Sequence, residues 1–128
     1  MDNRQILTAF NNHFLEFVDD VKRVFPNDTD IATVQNGFIK MRKANPKLII
    51  MTFKEHVYDP YHKEIELGNL DFFISKDYVK DVKDLGNNNV ILEKINYLKE
   101  PIKIMNKEDQ DKVVKYMQNL CKLCNLYN

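Results

Sequence analysis

The sequence predicts an all-α fold, a single domain spanning residues 1–128 and built from about six helices. Three observations carry this. Apolar residues recur at three-and-four spacing over most of the chain, cap residues stand where those patterns begin, and proline or glycine stands where they end. With 128 residues, eight Phe and six Tyr against three Gly and four Pro, the chain has the area for one aromatic-rich core and too few breakers for a linker or a disordered tail.

The first helix is expected over residues 4–25. Ile6, Leu7, Phe10, Phe14, Phe17, Val18, Val21, Val24 and Phe25 lie on one stripe, Glu16, Asp19, Asp20, Lys22 and Arg23 lie between them, and Pro26 stops the run. Asp28 or Thr29 then caps a second helix running to about Lys43, with Ile31, Val34, Phe38 and Met41 inward. Asn45-Pro46 starts a third, burying Ile49, Ile50, Phe53 and Val57. The run Leu48–Phe53 is also good strand material, so an α+β alternative places a β-hairpin at 47–67 with Lys63–Leu67 as the partner strand.

Asp59-Pro60-Tyr61-His62 reads as a turn, and Gly68-Asn69 as a break before a helical stretch carrying Leu70, Phe73, Ile74 and Tyr78, extended by Val79, Val82 and Leu85. Gly86-Asn87-Asn88-Asn89 reads as the next break. A further helix, about 90–99, would bury Ile91, Leu92, Ile95 and Leu98 before Pro101 ends or kinks it. Asn106 then caps a last helix running to about Leu123, with Glu108 and Asp109 against the positive end of its dipole.

Lys plus Arg equals Asp plus Glu at 19 each, which leaves no global field to draw the chain to nucleic acid or to an anionic membrane. No apolar run approaches the roughly 20 residues of a membrane span. The first residues lack a secretory pattern and two cysteines are too few for a disulfide scaffold, so the expected location is intracellular and not secreted.

Cys121 and Cys124 have the spacing of half a zinc site. No second such pair exists, His13, His56 and His62 are scattered, and the pair sits near a helix end rather than a start, so both are read as core thiols. Asp28 and Asp30 are accounted for by capping and dipole pairing. No metal, cofactor or catalytic residue is expected, and the chain is read as non-enzymatic.

Two surfaces stand out. Tyr58, Tyr61, Phe72, Phe73 and Tyr78 gather around the central turn and form a candidate interaction surface, with local core packing as the alternative use. Lys40, Arg42, Lys43 and Lys47 form the densest basic patch, a candidate phosphate contact that the dipole at the end of the second helix also favours.

Phe10-Asn11-Asn12-His13-Phe14, the run Glu16–Pro26, Arg42-Lys43-Ala44-Asn45-Pro46-Lys47 and Tyr116-Met117-Gln118-Asn119-Leu120 together resemble uncharacterised small helical proteins of nucleocytoplasmic large DNA viruses that infect algae and protists. The excess of Lys over Arg, 16 to three, suits the AT-rich coding of such genomes. The resemblance implies a virion or assembly component, or a binder of a host or viral protein, and implies no activity, cofactor or functional residue. A nucleic-acid-associated factor using residues 40–47 is the alternative.

Overall fold

The computed structural model describes residues 2–75 and 87–128, and inside its helices the side chains of residues 72, 73 and 87–89 fall outside that description. The helices are α1 (Asn3–Val24), α2 (Thr29–Ala44), α3 (Leu48–Phe53), α4 (Asp59–Glu66), α5 (Leu70–Ser75), α6 (Asn87–Lys103) and α7 (Lys107–Leu126), with a five-residue π-helical turn at Lys54–Tyr58 between α3 and α4. Among the described residues there is no strand, so the all-α expectation holds and the hairpin at 47–67 is replaced by helix.

Caps set the boundaries. Asp2 accepts from the Gln5 amide while the Gln5 side chain accepts from the Asp2 amide, a capping box that starts α1. Asp28 accepts from the amides of Asp30 and Ile31 to start α2, and Asn106 accepts from Asp109 to start α7. Gly68, at φ +80°, supplies the left-handed turn after α4 that the Gly68-Asn69 break calls for.

Four boundaries differ from the sequence reading. Asp59-Pro60-Tyr61-His62 is not a turn: α3, the π turn and α4 run on as one rod, with backbone in the right-handed helical region at Lys54 and at Asp59. In the π turn the Asp59 amide bonds to the Lys54 carbonyl, one residue further back than in an α-helix, and this widening eases the carbonyls that the Pro60 ring would otherwise strike. Pro101 does not end α6, which carries it two residues before its close at Lys103, where it removes a bond from the last turn only. Asn87–Asn89 belong to the first turn of α6 rather than to a break, and α7 continues past Leu123 to Leu126. The expected helical continuation through Val79, Val82 and Leu85, with Tyr78 and Gly86, lies outside the described residues.

One continuous core draws on every helix. Phe10, Phe14, Phe17, Val18 and Val21 of α1 meet Ile31 and Phe38 of α2, Ile49, Ile50 and Phe53 of α3, Ile91, Leu92 and Leu98 of α6, and Met117, Leu120 and Cys124 of α7, while Leu70 and Ile74 of α5 pack on its edge. Side chains also tie the helices at their ends. Lys54 Nζ donates to the Tyr127 carbonyl at 3.0 Å, the Gln118 amide donates to the Ile65 and Glu66 carbonyls at 3.2 Å, and Gln35 donates to Asp19 at 3.1 Å.

Gly37 sits mid-helix in α2, where the tail of Lys94 from α6 crosses it: a Cβ there would meet Lys94 Cε at 2.6 Å and Nζ at 2.8 Å. The obstruction is the end of a flexible side chain and not backbone. Gly37→Ala should therefore raise stability by about 0.5–1 kcal/mol through helix propensity, with Lys94 swinging aside. Urea unfolding checks the sign; a loss of stability would mean that the Lys94 tail is fixed in place.

Candidate functional site

Grooves along α1 combine an apolar lining with charged side chains. One lies where the end of α1 passes the start of α7, a cleft of about 310 Å³ lined by Phe17, Val21, Met105 and Val113 and rimmed by Asp20, Arg23 and Tyr116. Of its polar groups Asp20, Arg23 and Tyr116 already satisfy one another, whereas Asp109 and Lys112, which also line it, form no ion pair among the described residues. The Tyr116 hydroxyl donates to Asp20 at 2.5 Å, and Arg23 pairs with Asp19 at 3.0 Å and with Asp20 at 3.1 Å. Burial, reinforced by that bond to Asp20, pushes the Tyr116 hydroxyl up to about 12. A ligand that engages Asp20, Arg23 or Tyr116 would have to displace bonds already made.

The second groove is differently built. α1 and α2 form an antiparallel pair, so the first half of α1 faces the last half of α2 across a depression of about 510 Å³. Leu7, Leu15 and Ile39, all partly buried, give it an apolar lining, and Arg42 and Lys43 form its lip. Among the described residues none of Lys40, Arg42, Lys43 and Lys47 forms an ion pair; the ion pairs lie elsewhere on the chain. The predicted basic patch is thus exposed, except for the half-buried Arg42, and it stands beside apolar surface.

Asn11 lies at the base of this groove and is only 2% exposed. Its Nδ2 donates to the Pro46 carbonyl at 2.9 Å, pinning the α2–α3 turn to α1, while its Oδ1 has no hydrogen-bond partner among the described residues. A buried acceptor left without a donor costs about 1–3 kcal/mol. Sequence reasoning passed over Asn11, although a signal was present: it occupies the stripe between Leu7 and Phe14, four residues after one and three before the other, and a polar residue on a buried stripe needs a partner.

Of the aromatic group predicted around the central turn, Tyr58 and Tyr61 are described. Tyr58 is partly buried against the core, its hydroxyl donates to Asn125 at 2.9 Å, and its ring stacks on His62 at 4.7 Å between centroids. Tyr61 is likewise partly buried against the core. The side chains of Phe72 and Phe73, and Tyr78 as a whole, lie outside the described residues.

Cys121 and Cys124 are buried and unpaired, as core thiols should be. Burial pushes Cys121 up to about 12 and Cys124 further still, so both thiols keep their protons in the folded chain at neutral pH. Among the described residues no three His, Cys, Asp or Glu side chains come together as a metal site, and no helix is long and apolar enough to cross a membrane. His13 is partly buried on α1, its ring tilted by 40° against Tyr116 at 4.9 Å between centroids, with Nδ1 3.6 Å from Glu16.

No family model, curated protein or solved structure matches this chain, so the α1–α2 groove stands on its own geometry.

Proposed function

We propose that this chain is a non-enzymatic protein-interaction protein that receives its partner in the α1–α2 groove. Its context is that of a virion or assembly component, or of an intracellular binder of a host or viral protein. The observation that supports this reading is the conjunction at one place of the apolar lining of Leu7, Leu15 and Ile39 with the cations Arg42 and Lys43, which have no ion-pair partner among the described residues. Protein interfaces are built this way, with an apolar centre that supplies burial and a charged rim that sets orientation and encounter rate.

A pull-down of tagged protein from its native cell, with nuclease and at low and high salt, tests it. A partner at near-equal stoichiometry should survive nuclease and should be lost from the Arg42→Glu/Lys43→Glu variant, with Arg42→Gln/Lys43→Gln reducing recovery less. Lys112→Glu, on α7 beside the other cleft, should leave recovery unchanged. Absence of any stoichiometric partner would overturn the interaction reading, and a partner indifferent to Arg42 and Lys43 would move it to another face.

A second reading is a nucleic-acid-associated factor. It is favoured by the exposure of Lys40, Lys43 and Lys47 without carboxylate partners among the described residues. Binding would then fall steeply with salt as phosphate contacts release counterions, and recovery would fail after nuclease.

A further inference from the structure

The cleft between the end of α1 and the start of α7 carries charge of both signs beside apolar surface. Asp109 and Lys112 stand one turn apart on α7 and both line the cleft, Asp109 half-buried and Lys112 exposed, yet neither forms an ion pair among the described residues. Val24 lines the cleft at 37% exposed, and Ile104, next to the lining residue Met105 in the turn from α6 to α7, is 74% exposed. We infer that this face is the contact between two copies of the chain related by a two-fold axis. In that contact Asp109 of each copy meets Lys112 of the other, and the Val24 and Ile104 side chains are taken out of water. The inference goes beyond the protein-interaction reading above, since it concerns a different face and a different partner.

The mixture of signs selects the occupant. In a two-fold contact the same patch meets itself, so a patch is self-complementary only if it carries both members of each pair. An acid and a base one turn apart on one helix meet this condition. Where two α7 helices cross antiparallel about an axis between positions 109 and 112, each acid opposes the base of the other copy and two ion pairs form at once. A partner of one charge sign would satisfy one of the two groups and repel the other. The α1–α2 groove fails the same condition, because its lip of Arg42 and Lys43 would face a second copy of itself with like charge. At long range nothing opposes the approach, since Lys plus Arg equals Asp plus Glu at 19 each. Asp20, Arg23 and Tyr116 keep the bonds they already make, because the contact does not call on them.

Sedimentation velocity over a concentration series tests the inference on the full chain. The wild type should pass from monomer to dimer as concentration rises, with no larger species, because a two-fold contact closes on itself. Asp109→Lys alone and Lys112→Glu alone should each weaken the dimer about tenfold or more, since each replaces two ion pairs by two like-charge contacts. Mixed in equal amounts, the two variants should recover association. One carries bases at both positions and the other acids at both, so every contact between them is again of opposite sign. A variant that merely failed to fold would not be rescued by mixing, and far-ultraviolet circular dichroism of each variant alone checks its helices. Ile104→Ser, at a side chain that the monomer leaves in water, should also weaken the dimer while leaving the urea midpoint in place at dilutions where the chain is monomeric.

A chain that stays monomeric up to millimolar concentration, a dimer indifferent to the charge reversals or to Ile104→Ser, a mixture that associates no better than its separate variants, or growth into species larger than a dimer would each overturn the inference. These outcomes stand apart from the pull-down, which reads Arg42 and Lys43, so the failure of one surface leaves the other to be judged on its own result.

Discussion

Phe14→Ala should destabilise the fold by about 3–5 kcal/mol, a large share of the roughly 5–15 kcal/mol that holds a domain of this size. Phe14 is 2% exposed and is the ring on which the others meet. Its centroid lies 4.8 Å from Phe38 in an edge-to-face arrangement, 6.1 Å from Phe10 and 6.2 Å from Phe17, while Phe10 in turn meets Phe53 at 5.4 Å. Truncation removes the transfer energy of the ring, opens a cavity where α1, α2 and α3 converge, and forfeits the aromatic contacts themselves. Urea unfolding followed by far-ultraviolet circular dichroism should show the midpoint falling sharply. Leu67→Ser, at a side chain that is 84% exposed, should move it by no more than about 0.5 kcal/mol. Equal effects at the two positions would show that the core is not organised around these rings.

The ease with which Phe14 could be placed from sequence, and the difficulty of placing Asn11, have the same origin. α1 is legible because one face of it is apolar throughout, and a stripe at three-and-four spacing has one way to be buried. The third helix is legible for the same reason, with Ile49, Ile50, Phe53 and Val57 all buried as their spacing requires. The continuation of that rod through α4 is not, because Asp59-Pro60 carries a local turn signal that tertiary packing overrides: the π turn absorbs Pro60 and lets the rod continue, and nothing in the sequence marks a π turn. Of the aromatic group at 58–78, Tyr58 and Tyr61 are partly buried against the core, with the Tyr58 hydroxyl on Asn125. The basic cluster is legible as residues, but its apolar neighbours Leu7 and Leu15 come from α1, more than twenty residues away, and enter the site only through the α1–α2 packing. Local pattern therefore accounts for the elements and the charges, and long-range pairing makes the groove.

Stability should fall steeply as the pH rises past 9.0, the ordinary value for a thiol. Burial raises Cys121 to about 12, and raises Cys124 beyond that, the neighbouring Cys121 thiol adding to the effect. In both cases the folded chain holds its proton longer than the unfolded chain does. Below 9.0 neither state is ionised at these thiols and their contribution is complete. Between 9.0 and about 12 the unfolded chain loses the proton while the folded one keeps it, so each thiol withdraws up to about 1.4 kcal/mol for every pH unit. Over the full interval Cys121 alone would withdraw on the order of 4 kcal/mol, enough to unfold a domain at the lower end of ordinary stability. Tyr116 adds a loss of the same sign starting at 10.0, smaller because its hydroxyl is partly in contact with solvent. Urea midpoints measured at steps of pH should decline from about pH 9. The Cys121→Ala/Cys124→Ala variant should begin less stable, since it loses packing, yet decline with a shallower slope. An unchanged slope would place the alkaline sensitivity in the tyrosines. In the wild type, the same burial should make thiol alkylation track global unfolding, because the thiols ionise only when α7 leaves the core.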